Sequence, residues 1–169
     1  MTQEELKQAA NYWKEKDAES VKLDEESLKA AVLEYIQEND TCALATGAGS
    51  FVRCTPIEYT YHNDAFWMFT EGGEKFIALE QNLNVCIAIF EKYAGFGKLK
   101  GMQVTGTAEI VEPFTEEYVH AAKIRKIPME ALKKMEHPMN LIKITPKRID
   151  FLNSDFKQKG CASRQFIEF

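Results

Sequence analysis

Phe51-Val-Arg-Cys-Thr-Pro-Ile-Glu-Tyr-Thr-Tyr-His-Asn-Asp-Ala-Phe-Trp-Met-Phe-Thr70 is the stretch that decides the fold. Phe51 to Tyr61 alternates apolar and polar side chains, the period of a half-buried strand. His62-Asn63-Asp64 reads as a turn, and Ala65 to Thr70 follows as an aromatic-rich strand. Strands joined by so short a turn run antiparallel, because a parallel pair needs a crossover of about a dozen residues.

The same rhythm continues on both sides. Thr41 to Thr46 is a short apolar strand bounded by the turn Gly47-Ala48-Gly49-Ser50. Asn84 to Phe90 is a compact apolar strand, and Lys100 to Val111 is a long one rich in Val, Thr and Ile. Met139 to Thr145 and Lys147 to Asn153 predict two final strands broken by Pro146. Between them lie short helices, Glu74 to Gln81, Thr115 to Lys126 and Pro128 to Met135. An earlier helix begins at Asp24-Glu25-Glu26, with Asp24 as its cap, and carries Leu28, Ala31, Val32, Tyr35 and Ile36 on one face. The segment around Tyr12-Trp13 predicts a separate helix or arm, and the tail from Ser154 shows no period.

At least six short strands interrupted by small helices exclude a doubly wound parallel sheet. They predict a mainly β fold with α, an antiparallel six-stranded barrel with helices packed outside. The 169 residues suffice for one domain spanning 1–169, with 1–24 as a helical arm.

Composition removes several function classes. A net charge of −5 argues against a general nucleic-acid binder, which needs a basic face. No apolar run approaches the roughly 18 residues that cross a membrane. Met1-Thr-Gln-Glu-Glu-Leu6 is acidic and lacks the features of a signal peptide, so the expected location is the cytoplasm. Cys42, Cys54, Cys86 and Cys161 are widely spaced and read as reduced thiols. His62, His120 and His137 share no metal spacing and read as surface residues, so no metal site is expected.

One constellation carries chemistry. Arg53 lies within one predicted strand, Thr70 ends the next, and Gly72-Gly73-Glu74 leads to Lys75 at a helix start. A phosphate monoester needs cations, hydroxyl donors and free backbone amides. Arginine offers a planar fork, lysine a point charge, threonine a hydroxyl, and a helix start orphaned N–H groups. From residue types alone, solvated charges beside a simple Gly-Gly turn are the better fit.

The order of the segments narrows this. Thr41-Cys-Ala-Leu-Ala-Thr46 comes first, then Arg53-x-x-Pro56, then Phe66-Trp-Met-Phe-Thr70 with Lys75 five residues on. Asn82-x-Asn84-Val85, Gln103-Val-Thr-Gly106 and Ile144-Thr-Pro-Lys-Arg-Ile-Asp-Phe151 follow. This series, from about Leu28 to Leu152, resembles the pyridoxamine 5′-phosphate oxidase-like flavoproteins. The resemblance implies a split barrel that binds FMN, with the cofactor at the interface of a homodimer. It implies that Arg53 and Lys75 grip the FMN phosphate, with Phe69 and Thr70 beside them. Cys54, Thr55 and Pro56 would line the flavin edge, and Lys100 and Gln103 would approach it from the partner subunit.

True pyridoxamine phosphate oxidases end in a Trp- and Arg-containing segment closing in Arg-Leu-Ala-Pro. This chain ends Cys161-Ala-Ser-Arg-Gln-Phe-Ile-Glu-Phe169, so the likeness is to the shorter, general-stress-protein-like members rather than to vitamin B6 salvage enzymes. The resemblance implies an FMN-dependent oxidoreductase that exchanges electrons with a small-molecule donor or acceptor. The alternative is a non-catalytic flavin- or haem-binding stress protein. No catalytic residue is assigned, since in a flavoenzyme the cofactor performs the redox step.

Overall fold

One curled antiparallel sheet organises the chain. In the computed structural model, which describes residues 1–169, the strands are β1 (Thr41–Ala48), β2 (Phe51–Glu58), β3 (Thr60–His62) and β4 (Ala65–Thr70), then β5 (Asn84–Phe90), β6 (Lys100–Val111), β7 (Asn140–Asn153) and β8 (Arg164–Glu168). Their spatial order is β2-β1-β5-β6-β7-β4-β3, with β8 paired to β7. β2 and β3 stand at opposite ends of that order, yet only Tyr59 separates them in sequence. The sheet therefore curls until its two ends meet at one residue. β2 comes beside β4 without a ladder between them, which leaves a split barrel. Tyr59 is buried at this joint, and its hydroxyl donates to the Ile36 carbonyl at 2.8 Å.

Five helices flank the sheet: α1 (Gln3–Ala18), α2 (Glu25–Glu38), α3 (Lys75–Leu79), α4 (Glu116–Ile124) and α5 (Met129–Lys134). Asp24 caps α2 by accepting from the Ser27 amide at 2.8 Å. The helical spacing of Leu28, Val32, Tyr35 and Ile36 buries all four against the barrel. There they join Leu44, Ile87, Val104, Ile144 and Phe151 in the main core. A second core packs Tyr118 and Ala122 of α4 and Leu132 of α5 against Trp67 and Leu141. α1 has no buried residue.

Three readings of the sequence are corrected. The predicted strand Phe51 to Tyr61 is two strands, because buried Tyr59 turns the chain between sheet edges. Pro146 does not break β7, which runs unbroken from Asn140 to Asn153. The register slips between Thr105 and Gly106, so that Gly106 faces Pro146 and Thr105 faces Arg148, with Lys147 bulged between. A bulge is a place where a sheet accepts proline, since no ladder bond is lost. The tail is ordered too: residues Ser154–Lys159 form a 3-10 turn and β8 returns along β7, making eight strands instead of six.

Candidate functional site

Residues scattered over the sequence from Arg53 to Asn140 meet at one mouth of the barrel. Arg53 pairs with Thr46 across β1 and β2, and antiparallel partners point to the same side of a sheet. That side is the inner one, since Thr46 is buried, so Arg53 reaches over the barrel end towards α3. Its guanidinium meets the Glu74 carboxylate at 2.9 Å. Thr70, Gly72, Gly73 and Lys75 complete the rim. The loop between β4 and α3 is pinned by Asn140, whose amide donates to the carbonyls of Glu71 (3.0 Å) and Thr70 (3.4 Å). Asn82 fastens the other side, donating to the Gly47 carbonyl at 2.7 Å.

Lys75 is the informative member. Its side chain is only 4% exposed, and its ammonium donates to the Gly72 carbonyl. The Phe76 ring lies 5.2 Å away, and no carboxylate pairs with the ammonium. Burial pulls its pKa below the ordinary lysine value. A buried cation without a counter-charge is costly, and proteins ordinarily pair one or neutralise it. Gly73 has φ +107°, a conformation that favours glycine, and a β-carbon there would only touch the Lys75 Nζ, at 3.7 Å. A phosphate group would supply the missing negative charge here, beside a second cation, Arg53, that Glu74 already pairs.

Two expectations are sharpened. α3 has five residues, so its N-terminus adds little dipole, and the positive charge at the mouth is that of Lys75 and Arg53. Glu74 was read only for its amide. Its carboxylate instead neutralises Arg53, which residue order could not disclose.

The other anticipated residues divide by face. Thr55 pairs with fully buried Leu44 and points inward. Cys54 and Pro56 point outward and are exposed. There they continue a ladder of small side chains, Cys54-Ala45-Cys86-Thr105 and Pro56-Ala43-Ala88-Gln103. Phe69 turns away from the mouth and packs edge-on against Tyr118 at 5.2 Å. Lys100 is not brought to the cradle within one chain. It lies six residues along β6 from Gly106, which is level with Thr46, a separation of roughly 20 Å at the usual strand rise. There it pairs with Asp155 at 3.1 Å, which raises its pKa. Gln103 sits midway on the outer face, in a shallow cleft with Ala88, Gly101, Asp150, Leu152 and Arg164.

Asn82 and Asn140, which position both loops of the mouth, have no assigned role in the sequence reading. The available signal was an Asn at each strand entry, a place where side-chain amides commonly bond loop carbonyls. His62, expected at the surface, instead has both ring nitrogens buried.

Comparisons place this geometry among known proteins. The pyridoxamine 5′-phosphate oxidase family profile matches residues 28–153. Among solved structures, a FAD-binding protein from Mesorhizobium loti is similar at 18% identity and TM-score 0.57, over 72% of this chain and 89% of that one. HutZ, the heme storage protein from Vibrio cholerae, is similar at 20% identity and TM-score 0.59, over 70% and 89%. General Stress Protein 26 from Bacillus anthracis is similar at 21% identity and TM-score 0.59, over 84% and 98%. No curated protein matches the chain in sequence. The structural likenesses establish the shared fold.

Proposed function

The chain belongs to the pyridoxamine 5′-phosphate oxidase family, and from that premise we propose that it is an FMN-binding flavoprotein acting as an oxidoreductase on a small organic substrate. The observation that carries the proposal is Lys75, a buried ammonium with one carbonyl acceptor and no counter-anion, standing with Arg53 at a glycine-lined barrel mouth. Bound there, FMN supplies two-electron redox chemistry. The chain's own residues bind and orient. Lys75 would hold the phosphate as a point charge, and Arg53, now paired with Glu74, would offer it a planar fork. Asn140 and Asn82 hold the loops in place, and Thr55 and Pro56 fix where the ring system emerges.

The site extends to a second copy of the chain. The outer face carries small side chains at Ala43, Ala45, Cys86 and Ala88, which lets another surface approach closely. Gln103 lies on that face, roughly 10 Å along β6 from the level of its own cradle, and is offered to the cradle of the other copy; Lys100 has the opposite parity and faces α2 beside Asp155. The expected arrangement is a homodimer with FMN between the subunits.

The test begins with the visible spectrum of purified protein and a fluorescence titration with FMN. Flavin absorbance with about one FMN per chain supports the proposal. Arg53→Ala should weaken FMN by the value of a charge-assisted hydrogen bond, about 1.5–3 kcal/mol. A colourless protein that takes up no added FMN would overturn it, and a Soret band would transfer the site to haem. Turnover of reduced nicotinamide by the FMN-loaded protein separates an oxidoreductase from a flavin carrier. Mass in solution tests the dimer.

A further inference from the structure

Both ring nitrogens of His62 are shielded from solvent without a hydrogen-bond partner, and no other side chain has two such orphaned atoms. A neutral imidazole normally satisfies one donor and one acceptor. The local fold explains why this ring accepts the loss. Asn63 and Asp64 take positive φ (50° and 55°), closing the tight turn between β3 and β4. That turn lays the His62 ring flat on Trp67, with centroids 4.6 Å apart and planes 3° from parallel. The Trp67 indole N–H donates to the His62 carbonyl at 3.0 Å and fixes the stack. α4 closes the third side, where the His120 ring stands edge-on at 5.5 Å and 77°.

The charges around the ring offer an imidazolium little. On α4, Glu117 is already engaged by Lys143 of β7 at 2.5 Å. Lys143 also takes Glu109 of β6 at 3.6 Å, and its ammonium lies 5.2 Å from the centre of the Trp67 ring. Asp64, in the turn itself, is exposed. Arg125, at the far end of α4, is held by Glu58. Burial is the largest influence on His62 and lowers its pKa; His120 lowers it further, and Glu117 opposes in part.

We propose that His62 and His120 form an acid-sensitive latch that holds α4 against the β3–β4 hairpin. With His62 uncharged, its ring lies flat on Trp67 and meets the His120 ring edge-on. A proton on His62 places a cation between a second imidazole and an indole already carrying Lys143. That charge requires water, and water reaches the ring when α4 moves away. The folded pKa lies below the ordinary value near 6.5, so the unfolded chain takes up the proton first. The latch therefore stabilises the fold above about pH 6.5 and is lost as pH falls through the folded value. Opening reaches the barrel mouth, because Tyr118 of α4 packs on Phe69, the neighbour of Thr70.

Hydrogen exchange on the full chain, corrected for intrinsic rates, tests this together with NMR titration of the histidine ring protons. On going from pH 7.5 to 5.5 the amides of α4 should exchange faster, because protonation of His62 favours the open form. Those of α2 should not change. His62→Phe should remove the acceleration. His120→Gln retains the His62 ring and should move its titration midpoint upwards. A His62 midpoint at or above 6.5, or an undiminished α4 acceleration in His62→Phe, overturns the latch. Should His62→Phe fail to fold, His120→Gln decides, and an unchanged midpoint refutes the pairing.

Discussion

Replacing Lys75 by methionine should have effects of opposite sign on folding and on binding. Methionine keeps most of the side-chain volume and removes the charge. In the free protein Lys75 is 4% exposed as a residue, and its ammonium has one acceptor, the Gly72 carbonyl. Removing it costs one hydrogen bond, about 1 kcal/mol net, and relieves the desolvation of a buried charge, which is several kcal/mol. The balance favours the variant by at least about 1 kcal/mol, so its free melting temperature should rise by about 2–4 °C or more for a domain of this size. Binding moves the other way. Loss of a charge-assisted phosphate contact of about 1.5–3 kcal/mol should raise the Kd for FMN by about 10- to 150-fold. Differential scanning fluorimetry of the stripped protein and fluorescence titration with FMN read the two quantities separately. A fall in the free melting temperature would show that Lys75 is a loop staple, and an unchanged Kd would show that no phosphate meets it. Either result refutes the reasoning.

Glu74→Gln frees Arg53 from a pair whose side chains are 53% and 57% exposed. Such pairs contribute at most about 1 kcal/mol, so isothermal titration should show FMN binding up to about fivefold tighter with stability nearly unchanged. Gly106→Ala should destabilise by about 1–3 kcal/mol in urea unfolding, because its β-carbon would stand 2.5 Å from the Thr145 carbonyl oxygen. Tyr59→Phe leaves the Ile36 carbonyl without its buried donor and should cost about 1–3 kcal/mol in the same measurement.

What the sequence disclosed follows from local physics. Alternation marked β2 and aromatic enrichment marked β4, while Asp24 and Thr115 marked the starts of α2 and α4, because composition, periodicity and caps are short-range signals. Pro146 misled because its tolerance depends on a bulge, and the register slip lies across the sheet at Gly106. β8 was invisible because a five-residue edge strand has too few turns of its pattern to count. At the barrel mouth the presence of Arg53 and Lys75 was legible. That Lys75 is buried and Arg53 occupied by Glu74 was not, since both depend on how a five-residue helix settles over the barrel end. His62 was misplaced for the same reason: its burial comes from Trp67 and from α4, more than fifty residues away.

The joint at Tyr59 has a consequence for how the protein fails. By tying β2 to β3 through one residue, it shields one end of the seam from foreign strands. The other end of β2 has no such guard. There Val52 is 76% exposed on a strand whose outer edge carries no ladder. Unpaired strand edges are where chains add to one another and begin to aggregate. The cradle stands beside this stretch, so a bound ligand would act as a plug. Cofactor-depleted protein should then precipitate through Phe51 to Cys54, and a charged residue at Val52 would keep it dispersed.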